Sequence, residues 1–184
     1  MRRWPDVPAC YGWLSLDRRG HWRLRGEAVS HRGLNDFLNR RYAHDAAGNY
    51  FVQNGPQRVY VELEYTPWIV RLVSSETLET HIGETVDQVL SAAIDEEGNL
   101  LFDIGIGIAL LCDRDLPSFI ERLHIENGEP ADEKTVLAAI DDGTVDGLYL
   151  AWQKRRLPLH AIRRPEVPRH YRFVPSPQPA DTLS

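Results

Sequence analysis

An alternating stretch in the first half of the chain most limits what this protein can fold into. Across residues 59–65, apolar side chains alternate with polar ones, and this period of two predicts a strand with one buried and one wet face. The pair Asn54-Gly55 supplies positive φ values for a tight turn, so residues 50–53 and 59–65 form a predicted β-hairpin. Pro56 has no amide hydrogen, so strand pairing is expected to start after it. After Pro67, residues 68–73 continue extended toward the second half.

Local patterns on either side of this hairpin indicate two similar runs of elements. In the first run, the turn Asp17-Arg18-Arg19-Gly20 separates two strands, and Ser30 is expected to cap a helix. In the second run, the turn Asp95-Glu96-Glu97-Gly98 also precedes a strand and a short helix. Both helices carry a Leu-x-x-Phe motif. We therefore expect residues 17–38 and 95–120 to be equivalent parts of two related subdomains.

Further elements complete the predicted fold. Asp132 is expected to cap a helix that ends at Gly143, and residues 157–162 are expected to form a proline-containing edge strand. Residues 174–184 have nothing substantial to bury, which predicts a disordered tail. The predicted class is α+β. It has two small, related subdomains, residues 1–73 and 74–173, each a short antiparallel sheet with one or two helices.

The order of motifs resembles that of an uncharacterised bacterial family, a domain of unknown function. The resemblance rests on Gly20-His21-Trp22, Leu34-Asn35-Asp36-Phe37, Gly48-Asn49-Tyr50, Pro56, residues 59–64 and Pro67-Trp68. It covers roughly residues 12–73. The resemblance implies a pair of small α+β repeats and a role in signalling, and it implies no catalytic residues.

Length and composition limit the compartment and the class of protein. A chain of 184 residues, 42% of them hydrophobic, can bury one core or two small ones. No run of about 18 apolar residues occurs, and no apolar segment follows the basic residues at the N-terminus. We therefore expect a cytoplasmic protein that does not enter a membrane. Cys10 and Cys112 lack metal-type spacing, and each is expected to be a small buried residue rather than half of a disulfide.

The net charge of −6 conceals a strong segmentation. Residues 1–73 carry 11 basic and 7 acidic side chains, residues 74–147 carry 3 and 18, and residues 148–184 carry 7 and 2. This predicts separate positive and negative surfaces. Either the acidic middle contacts the basic ends, within one molecule or in a homodimer, or the basic surface binds an external polyanion. Net acidity weakens attraction to nucleic acid and favours the first alternative.

Basic side chains near the C-terminus and on one early strand are the candidate binding residues. Between residues 152 and 173 they interleave with aromatic rings, a composition typical of surfaces that bind anions or nucleic acids. The alternative is that they pair with the acidic middle or stay solvated. The same alternatives apply to the early strand. The candidate ligand- or partner-binding residues are Lys154, Arg155, Arg156, Arg163, Arg164, Arg23 and Arg25.

Sequence motifs for catalysis, metals and cofactors are absent. Gly105-Ile106-Gly107 lacks the third glycine and the Lys-Ser/Thr of a nucleotide loop, so we expect a glycine-containing strand or bulge. The acidic residues 141–147 lack the ligand spacing of a calcium loop. His160 and His170 lie among arginines, which disfavours a bound cation. We therefore predict no metal, no cofactor and no recognisable catalytic residue.

Three classes of function remain open. The predicted one is a noncatalytic binding or regulatory module for a protein or a small anionic ligand, with a homodimer as one arrangement. The second is a small enzyme whose site is assembled by the fold, since such a site leaves no local motif. The third is an RNA-binding accessory protein.

Overall fold

The chain is α+β and divides into two compact units. The computed structural model describes residues 7–145 and 147–179. The first unit consists of the described residues up to Pro67 and those from Arg172 onward, and the second runs from Trp68 to Tyr171. The boundary therefore lies after Pro67 rather than after residue 73, because residues 68–74 form a strand of the second sheet.

The first unit is one sheet with one helix. Its elements in chain order are β1 (Ala9–Leu16), β2 (Trp22–Leu24), β3 (Glu27–Ala28), α1 (Arg32–Arg41), β4 (Tyr42–His44), β5 (Tyr50–Asn54) and β6 (Gln57–Leu63). The sheet order is β3-β2-β1-β6-β5-β4. All neighbours are antiparallel except β1 and β6, which run parallel at the centre with Leu14 opposite Val61. The predicted hairpin is present, and its strands pair again directly after Pro56, with Asn54 opposite Gln57.

Helix α1 is capped one residue later than expected and is anchored by two contacts. His31 Nδ1, rather than the Ser30 hydroxyl, accepts the backbone N–H of Leu34 at 3.2 Å. Leu38 is completely buried. The indole N–H of Trp22 in β2 donates to Asn39 Oδ1 at 2.7 Å. The apolar stripe of the helix therefore contributes to the core of the first unit, as its spacing predicts.

The second unit is a larger sheet with three short helices. Its elements in chain order are β7 (Trp68–Ser74), β8 (Thr77–Thr80), β9 (Ser91–Ile94), β10 (Leu100–Asp103), β11 (Ile108–Leu111), α2 (Leu116–Ile120), β12 (Leu123–Ile125), α3 (Glu133–Asp142), β13 (Leu148–Trp152), β14 (Arg155–Ala161) and α4 (Val167–His170). The sheet order is β12-β13-β14-β9-β10-β11-β7-β8. No helix in the described residues is long and apolar enough to cross a bilayer.

Both sheets contain parallel pairs, which corrects the expectation of short antiparallel sheets. In the second unit β14 runs parallel to β9, with His160 opposite Ala93, and β11 runs parallel to β7. The segment expected at an edge, residues 157–162, therefore lies largely within the inner strand β14. These pairings join strands that are far apart in the sequence, so no local pattern announces them.

The two units share one order of strands. The six-strand order β3-β2-β1-β6-β5-β4 of the first unit has the same connectivity as β11-β10-β9-β14-β13-β12 in the second, where β7 and β8 are additional. The turns at Asp17 and Asp95 occupy equivalent places between the first two strands, and α1 and α2 both follow the third strand. The parallel between residues 17–38 and 95–120 is therefore visible in the topology.

Three Asp-x-x-Gly turns have the same geometry. In each, one carboxylate oxygen of Asp17, Asp45 or Asp95 accepts the backbone N–H groups two and four residues later at 2.9 to 3.0 Å. The glycine that closes each turn has a φ of +80° to +82°, a value that suits a residue without a Cβ. An aspartate and a glycine at this spacing thus fix the turn locally.

The segment from residue 172 to residue 179, here called the C-terminal segment, packs on the first unit. Phe173 is only 6% exposed, the Val174 N–H donates to Gly48 O at 2.9 Å, and the Leu63 N–H donates to Pro175 O at 2.7 Å. Residues 174–179 are therefore not the disordered tail expected from composition, because two backbone hydrogen bonds hold them. Residues 180–184 of that expected tail lie outside the described residues.

Candidate functional site

A cavity of about 690 Å³ in the second unit is the candidate site and is here called the sheet cavity. Its floor comes from three adjacent strands and its wall from the chain that follows β14. The lining residues are Ser91, Ala93, Asp103, His160, Ala161, Ile162, Glu166, Arg169, His170 and Tyr171. All of them belong to the second unit.

Strand register places the floor residues on one face. His160 is opposite Ala93 in the parallel pair of β14 and β9, and Ser91 is opposite Asp103 in the antiparallel pair of β9 and β10. Directly opposed residues point to the same side of a sheet, as do alternate residues along a strand. Leu157 and Leu159 on β14 are buried on the other face. The apolar alternation of β14 therefore turns His160 toward the cavity.

Two anchors hold the wall of the sheet cavity in place. Val167 at the start of α4 is completely buried. Just before it, the backbone N–H of Arg164 donates to Glu96 Oε2 at 2.8 Å, and its guanidinium pairs with Glu97 at 2.8 Å. These contacts fix the short helix from which Arg169 and His170 project.

Tyr171 is a protonated donor in the wall. Burial and the nearby charge of Asp103 raise the pKa of the Tyr171 phenol above its ordinary value, and a hydrogen bond with the Ser91 side chain opposes this only in part. The hydroxyl therefore keeps its proton at neutral pH. The His170 and Tyr171 rings also meet edge to face, with centroids 4.7 Å apart.

The cavity combines guanidinium and imidazole donors with carboxylate acceptors. Among the residues that the structure describes, no carboxylate forms an ion pair with Arg169 or with His160. An unpaired guanidinium beside histidine and tyrosine donors suits an anionic group, because guanidinium N–H groups match carboxylate and phosphate oxygens in pairs. Asp103 and Glu166 can accept hydrogen bonds from hydroxyl or amine groups of the same ligand.

A smaller cavity of about 380 Å³ lies on the acidic part of the second unit. Its charged lining consists of Arg163 and the carboxylates of Asp95, Glu96, Asp141, Asp142 and Glu166. Within the described ranges no group of three His, Cys, Asp or Glu side chains is arranged to hold a metal ion. The larger cavity is therefore the better candidate for an anionic ligand.

Three of the predicted binding residues lie together at the tip of one hairpin. Gln153 and Lys154, both with positive φ, form the two-residue turn between β13 and β14, and Arg155 and Arg156 follow it. The Arg155 guanidinium donates to Val89 O at 3.3 Å. Arg156 lies over the Tyr149 ring, 4.8 Å from its centroid. Lys154, Arg155 and Arg156 are therefore neighbours at the tip of this hairpin, with Arg155 and Arg156 on opposite faces of β14.

The other four predicted residues lie apart from this hairpin tip, and Arg163 lines the smaller cavity. Arg23 pairs with Asp17 at 3.2 Å, and Arg25 stacks 3.7 Å from the centroid of Trp13, both in the first unit. Arg164 pairs with Glu97, as already described, which is one of the contacts between acidic and basic segments that the charge pattern suggested. The seven residues therefore do not form one surface within a unit.

The residues of the sheet cavity were missed because they are joined only by long-range pairing. The alternation of buried Leu157 and Leu159 signals that His160 is exposed, but it does not reveal its neighbours on β9 and β10.

The two cysteines do not form a disulfide. Cys10 is buried, Cys112 is half-buried, and both thiols are free.

Comparisons with known proteins identify a family and supply no function. No curated protein matches the chain. It is similar to a solved DUF1285 family protein from Silicibacter pomeroyi DSS-3, with 13% identity over 84% of this chain and 82% of that one and a TM-score of 0.47. A DUF1285 family protein from Shewanella baltica OS155 shows 14% identity over 56% of this chain and 87% of that one, with a TM-score of 0.40.

A family model described as "Protein of unknown function (DUF2946)" matches residues 1–178. The match extends through both units and far beyond the residues that carried the resemblance in the sequence. The expectation of an uncharacterised domain family is thus confirmed, and the chain belongs to the family of that description.

Proposed function

We propose that this protein is a cytoplasmic, noncatalytic binding or regulatory module that recognises a small anionic ligand, or an anionic group of a protein partner, in the sheet cavity. The observation that carries this proposal is the presence of Arg169 and His160 in one cavity without a carboxylate partner among the described residues. A cationic side chain in a concave site is a standard way to recognise a carboxylate or phosphate.

The size and polarity of the cavity support this proposal. A volume of about 690 Å³ lies within the range of small-molecule sites, roughly 300–1,000 Å³. Tyr171 offers a neutral hydroxyl donor beside the Arg169 guanidinium. The carboxylates of Asp103 and Glu166 repel a second negative charge close to the first, so they favour a ligand with one anionic group and nearby hydroxyl or amine groups.

Native mass spectrometry of the untagged protein tests whether such a ligand is retained. A bound species of defined mass, together with calorimetric binding of inorganic phosphate or lactate, is the expected result. Arg169→Gln should weaken binding at least about tenfold, since a charge-assisted hydrogen bond contributes about 1.5–3 kcal/mol. Arg114→Gln, which changes an exposed arginine outside the cavity lining, is the matched control. Equal affinity of the two variants would contradict the proposal.

Catalysis in the same cavity is a second candidate function. The observation that favours it is that one cavity is lined by several kinds of ionisable side chain. Histidine and tyrosine side chains such as His160, His170 and Tyr171 can transfer protons in acid–base catalysis. An enzyme would convert the retained molecule into a product of different mass when it is incubated with the protein. His160→Gln should abolish that conversion, whereas in a module that only binds it should do no more than weaken retention of the ligand.

RNA binding and homodimer formation are tested on the same sample. An RNA-binding protein would copurify with nucleic acid, visible as excess absorbance at 260 nm that a high-salt wash removes. A dimer held by acidic and basic surfaces would dissociate as salt rises. An absorbance spectrum of protein alone and a monomer mass at low salt would exclude both.

A further inference from the structure

The exposed face of β14 carries a second cationic group in line with the sheet cavity. Arg156, Pro158 and His160 are exposed, whereas Leu157 and Leu159 between them are buried. Alternate residues of a strand point to the same side, so Arg156 and the cavity residue His160 lie on one face. Their Cα atoms are four residues apart, about 13 Å at 3.3 Å per residue.

A stack of side chains orients Arg156. Its guanidinium lies 4.8 Å from the centroid of the Tyr149 ring, and that ring stacks on His124 with centroids 5.5 Å apart and an angle of 18°. In the described part of the chain no carboxylate pairs with Arg156. A guanidinium stacked on a ring keeps the N–H groups along its edge available for an oxygen pair.

The same stack favours carboxylates over nucleic-acid bases. His124 belongs to β12 and Arg156 to β14, the strands on either side of the strand that carries Tyr149. The ring already contacts one side chain from each neighbouring strand, so a base would have to displace one of them in order to stack on it, as single-stranded nucleic acids require. The exposed donors on either side of Pro158 are Arg156 and His160.

We propose that the ligand of the sheet cavity is an acidic peptide segment that lies extended along β14. One of its carboxylates binds at Arg169 and His160, and a second binds Arg156. Side chains four residues apart in an extended peptide point the same way and are separated by about 13 Å, which matches the spacing along β14. This inference rests on the proposed function and adds a second anchor to it.

Fluorescence anisotropy with short labelled peptides tests the spacing. The probe is a serine-glycine heptapeptide with glutamates at positions 2 and 6; its controls carry adjacent glutamates, or one glutamate only. We expect the spaced peptide to bind about tenfold more tightly than either control, because only it reaches both anchors. Arg156→Gln should reduce the affinity of the spaced peptide to that of the single-glutamate peptide, and it should weaken the spaced peptide far more than the single-glutamate peptide. Arg169→Gln should weaken all three.

The outcomes separate this inference from the proposed function. Equal affinity of the spaced and adjacent peptides, or no effect of Arg156→Gln, overturns the second anchor. If Arg169→Gln still weakens the single-glutamate peptide, the cavity site stands. Tighter binding of a labelled hexauridylate that is lost in Arg156→Gln would assign the surface to RNA and overturn the peptide. Unchanged thermal unfolding of Arg156→Gln and Arg169→Gln, with Arg114→Gln as control, ensures that folded proteins are compared.

Discussion

Replacement of Gly48 by alanine tests how the C-terminal segment is held. Gly48 has a φ of +82°, and a Cβ there would lie 2.3 Å from the Arg172 carbonyl oxygen and 2.9 Å from Phe173 Cα. Gly98, the equivalent glycine of another Asp-x-x-Gly turn, has a φ of +80° and would meet only Ile140 Cδ1 at 3.7 Å. Gly98→Ala therefore reports the cost of the φ value alone, and Gly48→Ala adds the displacement of the C-terminal segment.

The contacts of the segment set the size of the difference. The positive φ costs an alanine about 1–2 kcal/mol in either variant. Displacement further removes the hydrogen bonds of Val174 to Gly48 and of Leu63 to Pro175, about 1 kcal/mol each, and exposes Phe173, about 2 kcal/mol. The freed residues regain conformational entropy. We therefore expect Gly48→Ala to lose about 2–4 kcal/mol more than Gly98→Ala.

Hydrogen exchange measured by NMR provides the assay, because the Leu63 amide is bonded to Pro175 O of the segment itself. A difference of 2 kcal/mol corresponds to an exchange rate about 30-fold faster in Gly48→Ala than in Gly98→Ala. The Val61 amide, inside β6, serves as an internal reference for the sheet. Equal exchange of the Leu63 amide in the two variants would refute the argument.

The remaining predictions concern a histidine, a core ring and an ion pair. Burial lowers the pKa of His81 to about 3, so the folded state binds fewer protons than the unfolded state below pH ~6.5, and the free energy of unfolding should fall by up to ~1.4 kcal/mol per pH unit. His81→Asn should flatten that slope in urea titrations from pH 6.5 to 5; an unchanged slope contradicts this. Phe119 is fully buried, and Phe119→Ala should cost about 3–5 kcal/mol in urea unfolding, a loss below about 1 kcal/mol refuting it. Arg164→Ala removes a partly exposed pair with Glu97 and should cost less than about 1 kcal/mol, because buried Val167 and the backbone hydrogen bond to Glu96 still hold the wall; a larger loss contradicts this.

The parts of the fold that the sequence predicts are those decided within a few residues. The helix expected after Asp132 begins there, with Asp132 Oδ1 accepting the Thr135 N–H at 2.7 Å, and it ends at Gly143, whose φ is +66°. The turns at Asp17 and Asp95 could also be predicted from the sequence, since one carboxylate and one glycine determine each of them. A third turn of the same type, at Asp45, follows β4 and rests on the same two local determinants.

Features that depend on pairing between strands far apart in the chain could not be predicted from the sequence. The partner of Leu159 is Ala92, and nothing in the alternation of either strand names the other. The candidate site inherits this limit, because Ser91 and Asp103 reach it through β9 and β10, whereas His160 reaches it through β14. Of the basic residues, Lys154, Arg155 and Arg156 could be grouped in advance because they are consecutive. The sequence could not distinguish Arg169 as a cavity residue from the other basic residues near it. Its surroundings depend on how α4 is anchored.

The position of the C-terminal segment in the chain also affects how the protein folds during translation. Residues 172–179 supply contacts to the first unit, yet they are translated after the whole of the second unit. The residues of the first unit up to Pro67 therefore emerge early but lack the Val174 and Pro175 contacts until residues 172–179 have left the exit tunnel. During that interval the Leu63 N–H lacks its acceptor, the Pro175 carbonyl. The end of β6 therefore lacks this hydrogen bond while the second unit is translated. The unit whose strands are translated first therefore completes its backbone hydrogen bonds only after the second unit has been translated.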